Sequence, residues 1–364
     1  MPLAIAPLLR ELVETGGSDL HLRAGAPPSI RVNGVLSRLD KPALGFDGLT
    51  DLLQETMPAR PAARFQQGYD VDYAVELTPG ERFRVNAFHF RGRPGAVLRR
   101  VLPAPLSIQE LGLPDVIGAL ALRPHGLTLV TGRAGSGKTT TLAAMAQTVN
   151  TTRPAHLLTL EDPIEVLIPE QMALVTQREV FSDTETFGAA LRAALRQDPD
   201  VIIVGEMRDE ETVRAALTAA ETGHHVISTL HTTDALSSVH RILDMFPAQE
   251  QKQVRITLSA VLNGVVGQRL VTHADGFGRV AATEIAINTG LVAQAIIDPS
   301  KTATITDLVG QGGYHGMHTF HQDLVRLLGE GTITWQDARA AATDPHDLEV
   351  EVRRAGLLSV TMSG

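Results

Sequence analysis

The sequence predicts an α/β protein with two domains, a smaller α+β domain followed by a larger one built on a parallel sheet. In residues 30–101, short strand-like segments are separated by turn pairs such as Asn33-Gly34, a pattern typical of antiparallel strands. From about residue 115, short apolar strands alternate with longer helices, which indicates a parallel sheet covered by helices. The chain has 364 residues, enough for two domains of about 100–200 residues each.

The first predicted domain covers residues 1–102. Its predicted helices are residues 3–14 and 46–55, and its predicted strands are residues 30–32, 35–36, 70–75, 82–88 and 95–101. The pair Pro79-Gly80 is predicted to form the turn between two of these strands. Residues 103–114 contain Pro103, Pro105 and Pro114 and are therefore predicted to be the interdomain linker.

The second predicted domain covers residues 115–364 and ends in a helical C-terminal region. Its predicted strands are residues 126–131, 157–160, 201–204 and 226–230. Its predicted helices are residues 138–149, 187–196 and 210–221. This alternation predicts right-handed crossover connections between parallel strands.

The composition limits the kinds of site that the chain can hold. Its 32 basic and 41 acidic residues give a formal net charge of −9, whereas a dedicated nucleic-acid-binding protein usually carries an excess of Lys and Arg. No nucleic-acid partner is therefore expected. The sequence contains no cysteine, which excludes a disulfide scaffold and a Cys-ligated zinc or iron–sulfur site.

The N-terminal segment does not have the pattern of a targeting sequence. It is apolar but lacks a basic region, and Arg10 and Glu11 interrupt it before a signal-peptide core is complete. No uninterrupted apolar run approaches the ~20 residues that a membrane-spanning helix needs. A cytoplasmic protein without a transmembrane segment is expected.

Residues 132–139 read Gly-Arg-Ala-Gly-Ser-Gly-Lys-Thr and match the phosphate-loop pattern G-x-x-x-x-G-K-[ST]. Glycines let the backbone turn sharply so that several N–H groups point at one anion, and the following helix adds its positive end. An apolar strand precedes the loop and an amphipathic helix follows it, which favours a phosphate site over a chance Gly-rich turn. Lys138 would contact the β- and γ-phosphates of ATP, and Thr139 would bind Mg²⁺. The residues expected to bind the nucleotide here are Gly132, Arg133, Ala134, Gly135, Ser136, Gly137, Lys138, Thr139 and Thr140.

Acidic residues follow two of the predicted strands. Glu206 comes after strand 201–204, and Glu161 comes after strand 157–160. Because ligands of open α/β sheets lie beyond the carboxyl ends of the strands, both acids are expected at the nucleotide. Glu206 is a candidate ligand of Mg²⁺ or of its water. Two carboxylates at one phosphate site can divide the work, one near the metal and one aligning or deprotonating water. The alternative for Glu161 is that residues 161–165 form an ordinary solvated loop.

Histidine and arginine side chains could complete such a site. His231 follows the predicted strand 226–230, where its imidazole could contact the γ-phosphate, although a structural role is the alternative. Arg82 and Arg84 are two residues apart on a predicted strand and so share one face. If that face borders the nucleotide of a neighbouring subunit, either could act as an arginine finger; the alternative is a solvated strand face.

Four segments stand in order along the chain: the loop 132–139, Thr-Leu-Glu-Asp-Pro-Ile-Glu at 159–165, Val-Gly-Glu-Met-Arg-Asp at 204–209 and a segment ending Thr-Leu-His-Thr at 229–232. They resemble the Walker A loop, the Asp box, the Walker B segment and the His box of the secretion-superfamily (GspE-type) motor ATPases, and within them of the type IV pilus retraction ATPases, the PilT family. Flanking segments at residues 18–22, 82–88 and 217–224 resemble that family as well. The likeness runs from about residue 18 to beyond residue 322.

The resemblance implies a PAS-like N-terminal domain, a RecA-like P-loop NTPase core and a ring of six subunits with nucleotide between the two domains. It implies that Glu161 is the catalytic carboxylate and Glu206 the Walker B acid, a ligand of Mg²⁺ with Thr139. His224 and His231 would be the paired catalytic residues of the His box. The candidates to reach the nucleotide from the N-terminal domain are Arg82, Arg84 and Arg99.

The same resemblance implies a hexameric motor that hydrolyses ATP to retract type IV pili. Domain rotations would pull pilin subunits from the base of the pilus, which is the basis of twitching motility. The implied partners are a PilC-like platform protein of the inner membrane and paralogous pilus ATPases. The protein would act in the cytoplasm, peripherally at the inner face of the cytoplasmic membrane.

One segment departs from the family pattern. Where retraction ATPases carry a motif with two arginines, at residues 291–298, this sequence has Ala293 and Ile297. Because that motif is tied to retraction rather than to nucleotide chemistry, a PilU-like accessory ATPase is an alternative. Inside the phosphate loop, Arg133-Ala134 replace the usual Pro-Thr, at positions that vary.

Three further alternatives differ in composition or in activity. A PilB/GspE-type assembly or secretion ATPase usually has a longer N-terminal region and a four-cysteine zinc module, which a cysteine-free chain of this length does not fit. A RecA-like nucleic-acid motor should present a basic, aromatic-rich surface, whereas aromatic residues make up 4% of this sequence. A scaffold that binds ATP without hydrolysing it would show no turnover.

Overall fold

The computed structural model describes residues 4–32, 34–78, 81–101 and 104–357. They divide into two compact units, one formed by Met1–Ala104 with Pro163–Leu167 and the other by Pro105–Asp162 with Ile168–Gly364. Several residues on which sequence predictions depended lie outside the described residues: Leu3, Asn33, Pro79, Gly80 and Pro103.

The first unit is built on an antiparallel sheet with the strand order β3-β2-β1-β6-β5-β4 among the residues described. The strands are β1 (Asp19–Arg23), β2 (Ser29–Val32), β3 (Val35–Arg38), β4 (Val71–Thr78), β5 (Glu81–Phe90) and β6 (Arg93–Arg100). The helices are α1 (Ala6–Glu14), α2 (Phe46–Thr56) and α3 (Ala59–Gln66). The predicted helices and strands of this region overlap these elements, whereas β1 and α3 were not predicted.

Alternating burial shows why these segments form strands. On β4, Val71, Tyr73 and Val75 are buried, while the residues between them are exposed or half-buried. This period of two places one face of the sheet against the apolar sides of α1 and α2, where Leu9 and Leu53 are fully buried. The first unit therefore has its own hydrophobic core.

The second unit is built on a mostly parallel sheet with the order β13-β12-β7-β11-β10-β8-β9 among the residues described. The strands are β7 (Gly126–Thr131), β8 (His156–Glu161), β9 (Leu174–Glu179), β10 (Val201–Val204), β11 (His225–Leu230), β12 (Leu262–Thr272) and β13 (Arg279–Ile287). Strand β13 alone runs antiparallel to its neighbour in this described sheet. The predicted strands match β7, β8, β10 and β11 closely, and β9, β12 and β13 were not predicted.

Helices cover both faces of this sheet, which is why its central strands are continuous apolar runs rather than alternating ones. All residues of β7, β10 and β11 are buried. The helices are α4 (Asp115–Ala121), α5 (Lys138–Thr152), α6 (Phe187–Ala194), α7 (Glu210–Glu221), α8 (Ala235–Asp244), α9 (Gln251–Val261), α10 (Gly290–Ile297), α11 (Ile305–Gln311), α12 (Phe320–Gly329), α13 (Trp335–Ala341) and α14 (Pro345–Arg354).

Side-chain caps fix where several of these helices begin. Asp209 accepts a hydrogen bond from the backbone N–H of Thr212 at the start of α7, and Asp234 and Ser237 form a capping box at the start of α8. Such caps satisfy backbone donors that the helix itself leaves unpaired. Both caps follow the carboxyl ends of strands, so they fix the chain where it leaves the sheet.

Helices α10 to α14 follow β13 in the described part of the chain. Apolar residues of α12 and α14, such as Leu324 and Leu348, pack on β12 and β13. Asp323, which is 2% exposed, accepts hydrogen bonds from the backbone N–H and the hydroxyl of Thr283 on β13. None of the helices that the structure describes is long and apolar enough to cross a bilayer.

A buried carboxyl lies where β13 meets the start of α8. Glu284 is 7% exposed, and its Oε1 accepts a hydrogen bond of 2.9 Å from the backbone N–H of Ala235. Burial is the main cause that raises the pKa of Glu284 to about 7; Asp234 adds to the rise, while the Ala235 hydrogen bond and Arg269 oppose it. This acid therefore changes charge near neutral pH.

We expect Glu284→Gln to stabilise the protein above pH 7 and to have little effect at pH 5. The fold raises the pKa of Glu284 from its ordinary value of 4.5 to about 7. Between these two pH values the unfolded chain loses the Glu284 proton while the folded chain keeps it, so the free energy of unfolding falls as the pH rises. Glutamine keeps an oxygen for the Ala235 N–H and carries no charge. Urea unfolding should show a gain of at most about 3 kcal/mol at pH 8. An equal difference at both pH values would contradict this account.

Candidate active site

Four parallel strands of the second unit end at one edge of the sheet. In the register, Thr131 of β7 pairs with Leu230 of β11. Val204 of β10 pairs with Ser228 of β11 on one side and with Leu160 of β8 on the other. The segments that begin at residues 132, 162, 205 and 231 therefore leave the sheet together. Carboxyl ends of parallel strands are where open α/β sheets bind ligands.

The phosphate loop leaves β7 and leads directly into α5. Gly132 has φ +152° and Gly137 has φ +89°, backbone conformations that favour glycine. Lys138 is 8% exposed, and its Nζ donates hydrogen bonds to the carbonyl oxygens of Gly132 at 2.8 Å and Arg133 at 3.0 Å. Burial lowers the pKa of Lys138, and the nearby carboxylate of Glu206 opposes that shift. The lysine thus places a cation inside the loop.

Two observations show that this loop suits a phosphate group. A Cβ atom added to Gly137 would lie 2.7 Å from Nε2 of Gln268, and the φ of +89° also favours glycine, so the backbone here can bend closely around a ligand only as glycine. The hydroxyl oxygens of Thr131 and Ser136 are buried and have no hydrogen-bond partner within the protein. Buried hydroxyls normally have partners, and an anion in the loop would supply them.

Glu206 lies two residues beyond β10 and contacts the segment that follows β11. Its Oε2 lies 3.3 Å from Nε2 of His231, and its Oε1 lies 2.6 Å from Nε of Arg208. The backbone between the two strand ends is tied as well, because the Thr229 hydroxyl donates to the Gly205 carbonyl at 2.6 Å. The structure therefore brings Glu206 and His231 together, as their positions after strands predicted.

Glu161 is the last residue of β8, and polar neighbours hold its carboxylate. Its Oε1 accepts hydrogen bonds from the Thr159 hydroxyl at 2.6 Å and from Nε2 of Gln177 at 3.0 Å. Gln177 is itself oriented, because its Oε1 accepts from the backbone N–H of Ile168 at 2.9 Å. These contacts fix the carboxylate at the sheet edge that also carries Glu206.

The residue types at this edge suit Mg²⁺. The Thr139 hydroxyl, exposed at the start of α5, and the Glu206 carboxylate are oxygen ligands of the kind that Mg²⁺ prefers. The described part of the chain has no group of three or more His, Asp or Glu side chains that could hold a metal ion alone. Mg²⁺ commonly takes one or two protein ligands and completes its shell with substrate phosphates and water. The donor set therefore fits the predicted ion.

His224 does not join the other predicted catalytic residues within the chain. It precedes β11, whereas His231 follows it, and a strand of this length separates the two by about 20 Å at about 3.3 Å per residue. His224 Nδ1 instead lies 3.1 Å from the carbonyl oxygen of Ala219 and 3.2 Å from the Thr222 hydroxyl. It therefore sits at the opposite edge of the sheet from the phosphate loop.

The three predicted arginines belong to the first unit. Arg82 and Arg84 are half-buried on β5, and Arg84 lies 3.9 Å from Asp72 on the neighbouring strand. Arg99 on β6 donates a hydrogen bond of 2.8 Å to the buried carboxylate of Asp19. Two of these side chains are thus oriented by acids of their own sheet.

The residues that hold the predicted site residues in place were not predicted from the sequence. They are Thr159 and Gln177 around Glu161, Arg208 beside Glu206, and Gln268 against the phosphate loop. Gln268 carried little signal, because glycines and other polar residues interrupt the apolar pattern of β12. Gln177 carried none, because β9 is only half-buried and lacks a clear pattern.

The type II/IV secretion system protein family matches residues 2–335 of this chain. The chain is 44% identical over 343 residues to the type IV pilus retraction ATPase PilT of Pseudomonas aeruginosa, covering 94% of this chain and 99% of that protein. It is 39% identical over 346 residues to the type IV pilus ATPase PilU of the same organism, covering 95% of this chain and 90% of that protein.

A crystal structure of the pilus retraction motor PilT with bound ADP has the same fold. Its TM-score is 0.88 at 43% sequence identity, and the match covers 95% of this chain and 98% of that one. The resemblance to pilus retraction ATPases and the predicted fold class, a P-loop NTPase core preceded by a smaller α+β domain, are confirmed. The chain belongs to the type II/IV secretion system protein family.

Proposed function

We propose that this protein is a motor that hydrolyses ATP to retract type IV pili. The observation that carries the proposal is its similarity to a named retraction ATPase along nearly the full length of both chains. The chain is an ATPase, as its family membership and its phosphate loop indicate together. Pilus retraction, pilin depolymerisation and twitching motility are the outputs that we assign to that hydrolysis.

Binding of ATP is assigned to the phosphate loop and the start of α5. Backbone N–H groups of residues 132–137 would cradle the phosphates, and Lys138 would exchange its loop carbonyls for phosphate oxygens. Thr139 and Glu206 would hold Mg²⁺, which when bound neutralises charge on the phosphates. The nine residues predicted to bind nucleotide, from Gly132 to Thr140, are all assigned to this site.

Hydrolysis is assigned to the acids and the imidazole at the neighbouring strand ends. Glu161, oriented by Thr159 and Gln177, would align the attacking water and accept its proton. His231 lies 3.3 Å from Glu206 and would sense whether the γ-phosphate is present. Catalytic roles of this kind depend on positioning and on charge stabilisation rather than on covalent chemistry.

Other assignments follow from the family resemblance alone. Arg82, Arg84 and Arg99 are proposed to contact nucleotide, in the manner of arginine fingers that stabilise charge in phosphoryl transfer. His224 lies at the far edge of the sheet, so we propose a catalytic role for it only in combination with another subunit. The domain limits proposed are residues 1–102, a linker at 103–114 and residues 115–364.

The proposed assembly is a homohexamer at the inner face of the cytoplasmic membrane. Its proposed partners are a PilC-like platform protein and paralogous pilus ATPases, and no nucleic acid. The net charge of −9 supports the last point, because nucleic-acid motors usually carry basic surfaces. A cytoplasmic, membrane-peripheral location agrees with a motor that acts on a platform protein.

A PilU-like accessory role is the second candidate, and helix α10 favours it. The helix carries Ala293 and Ile297 where retraction ATPases have arginines, so this surface lacks two charges. Instead, Leu291 is 63% exposed and Ile297 is 46% exposed. A changed surface on α10 would alter partner contacts without altering the nucleotide site.

Deletion of the gene, with surface pili and twitching scored, separates these functions. We expect extra, immobile pili, since assembly would continue without retraction, and complementation by the wild-type gene but not by Glu161→Gln. Loss of surface pili would indicate an assembly ATPase instead. Unchanged pili that lose motility only when a second pilus ATPase is also deleted would identify the accessory role.

A further inference from the structure

Gln268 stands beside the phosphate loop on a strand that the nucleotide chemistry does not otherwise use. Strand β12 runs parallel to β7, and its Gly267 pairs with Thr131, the last residue before the loop. The next residue, Gln268, therefore lies where β7 turns away into the loop. It is a polar side chain but only 3% exposed, so its hydrogen bonds are made inside the protein.

The side chain and backbone of Gln268 contact both ends of the loop. Its Oε1 accepts a hydrogen bond of 2.7 Å from the hydroxyl of Thr141, in the first turn of α5. A Cβ on Gly137 would lie 2.7 Å from its Nε2, and a Cβ on Gly132 would lie 2.5 Å from its carbonyl oxygen. One residue thus packs against the first glycine of the loop, the last glycine and the helix that follows.

Arg269, the next residue of β12, anchors the opposite face of the strand. Adjacent residues of a strand point to opposite faces, and Arg269 donates hydrogen bonds to the Ala341 carbonyl at 2.7 Å and the Thr343 hydroxyl at 2.8 Å. Its guanidinium lies 4.0 Å from the ring centroid of Phe320. Gln268 therefore contacts the loop from a strand that the contacts of Arg269 hold in place.

We propose that Gln268 is a positioning residue that holds the phosphate loop in its nucleotide-binding conformation. A loop with three glycines has many accessible conformations, and ordering it at the moment of binding would weaken affinity. The bond between Gln268 and Thr141 fixes the junction of loop and helix before nucleotide arrives. This inference rests on the proposed nucleotide site.

Gln268→Ala should raise the KM for ATP and the Kd for ADP about tenfold, the effect of leaving one buried partner unpaired. It should change kcat by less than about threefold, because loop order supports substrate and transition state alike. Thr141→Val removes the same hydrogen bond and should have the same effect, whereas Thr141→Ser keeps the hydroxyl and should behave as wild type. The double variant should be no worse than either single variant.

The matched control is Asn263→Ala, which removes a polar side chain at the other end of β12, where Nδ2 donates to the His125 carbonyl at 2.9 Å. It should leave KM unchanged. The inference would be overturned if both Gln268→Ala and Thr141→Val had the KM and Kd of the wild type. If Gln268→Ala does not fold, the KM and Kd of Thr141→Val alone test the inference. An unchanged Kd for ATP in Lys138→Ala would instead reject the site itself.

Discussion

Replacing Lys138 with alanine is expected to lower ATP hydrolysis at least about 100-fold and to weaken ATP binding. The amine is 8% exposed and lies inside the loop, 2.8 Å from the Gly132 carbonyl. Alanine would leave the loop carbonyls without their donor and the phosphates without a buried cation. Phosphate release and titration with a fluorescent ATP analogue measure the two effects separately.

Lys252→Ala is the matched control, because it removes a lysine that is exposed on α9 of the same unit. Both variants should unfold at temperatures close to that of the wild type, which shows that any loss of activity is local. Hydrolysis by Lys138→Ala at the rate of Lys252→Ala would remove Lys138 from the site.

Glu161→Gln is expected to lower hydrolysis at least about 100-fold while ATP still binds, since a general base contributes about 10²–10⁴ in rate. Glutamine has the same shape and keeps an oxygen for the hydroxyl of Thr159 and the amide of Gln177, so the local packing should persist. It cannot accept a proton from water. Single-turnover measurements of phosphate release, beside equilibrium binding of ATP, test this separation.

Glu165→Gln provides the control for charge, since it makes the same change at an exposed position four residues later. We expect it to hydrolyse ATP as the wild type does. A Glu161→Gln protein with an unimpaired rate would assign the proton transfer to another group. A wild-type protein that binds ATP but releases no phosphate would be a scaffold rather than a motor.

The sequence was most informative where local chemistry decides the structure. The loop before Lys138 needs glycines and a strand–helix setting, and helix α7 was predicted with its observed ends, at residues 210–221. The ends of β8, β10 and β11 were predicted well enough to place Glu161, Glu206 and His231 at one edge. Parallel pairing then requires those ends to meet.

Residues that depend on distant pairing could not be placed in the same way. Strand β12 lies next to β7, although about 130 residues separate Gln268 from the phosphate loop, and glycines and polar residues interrupt its apolar pattern. His224 was grouped with His231 because the family resemblance implies that the two form a pair. An extended strand between them places them at opposite edges of the sheet.

A crystal structure of the full chain with a non-hydrolysable ATP analogue and Mg²⁺ tests the central claim most directly. We predict triphosphate in the loop of residues 132–139, with Lys138 on its β- and γ-phosphates and Glu161, Glu206 and His231 facing the γ-phosphate. Nucleotide bound elsewhere, or a bound triphosphate from which both acids point away, would contradict the account.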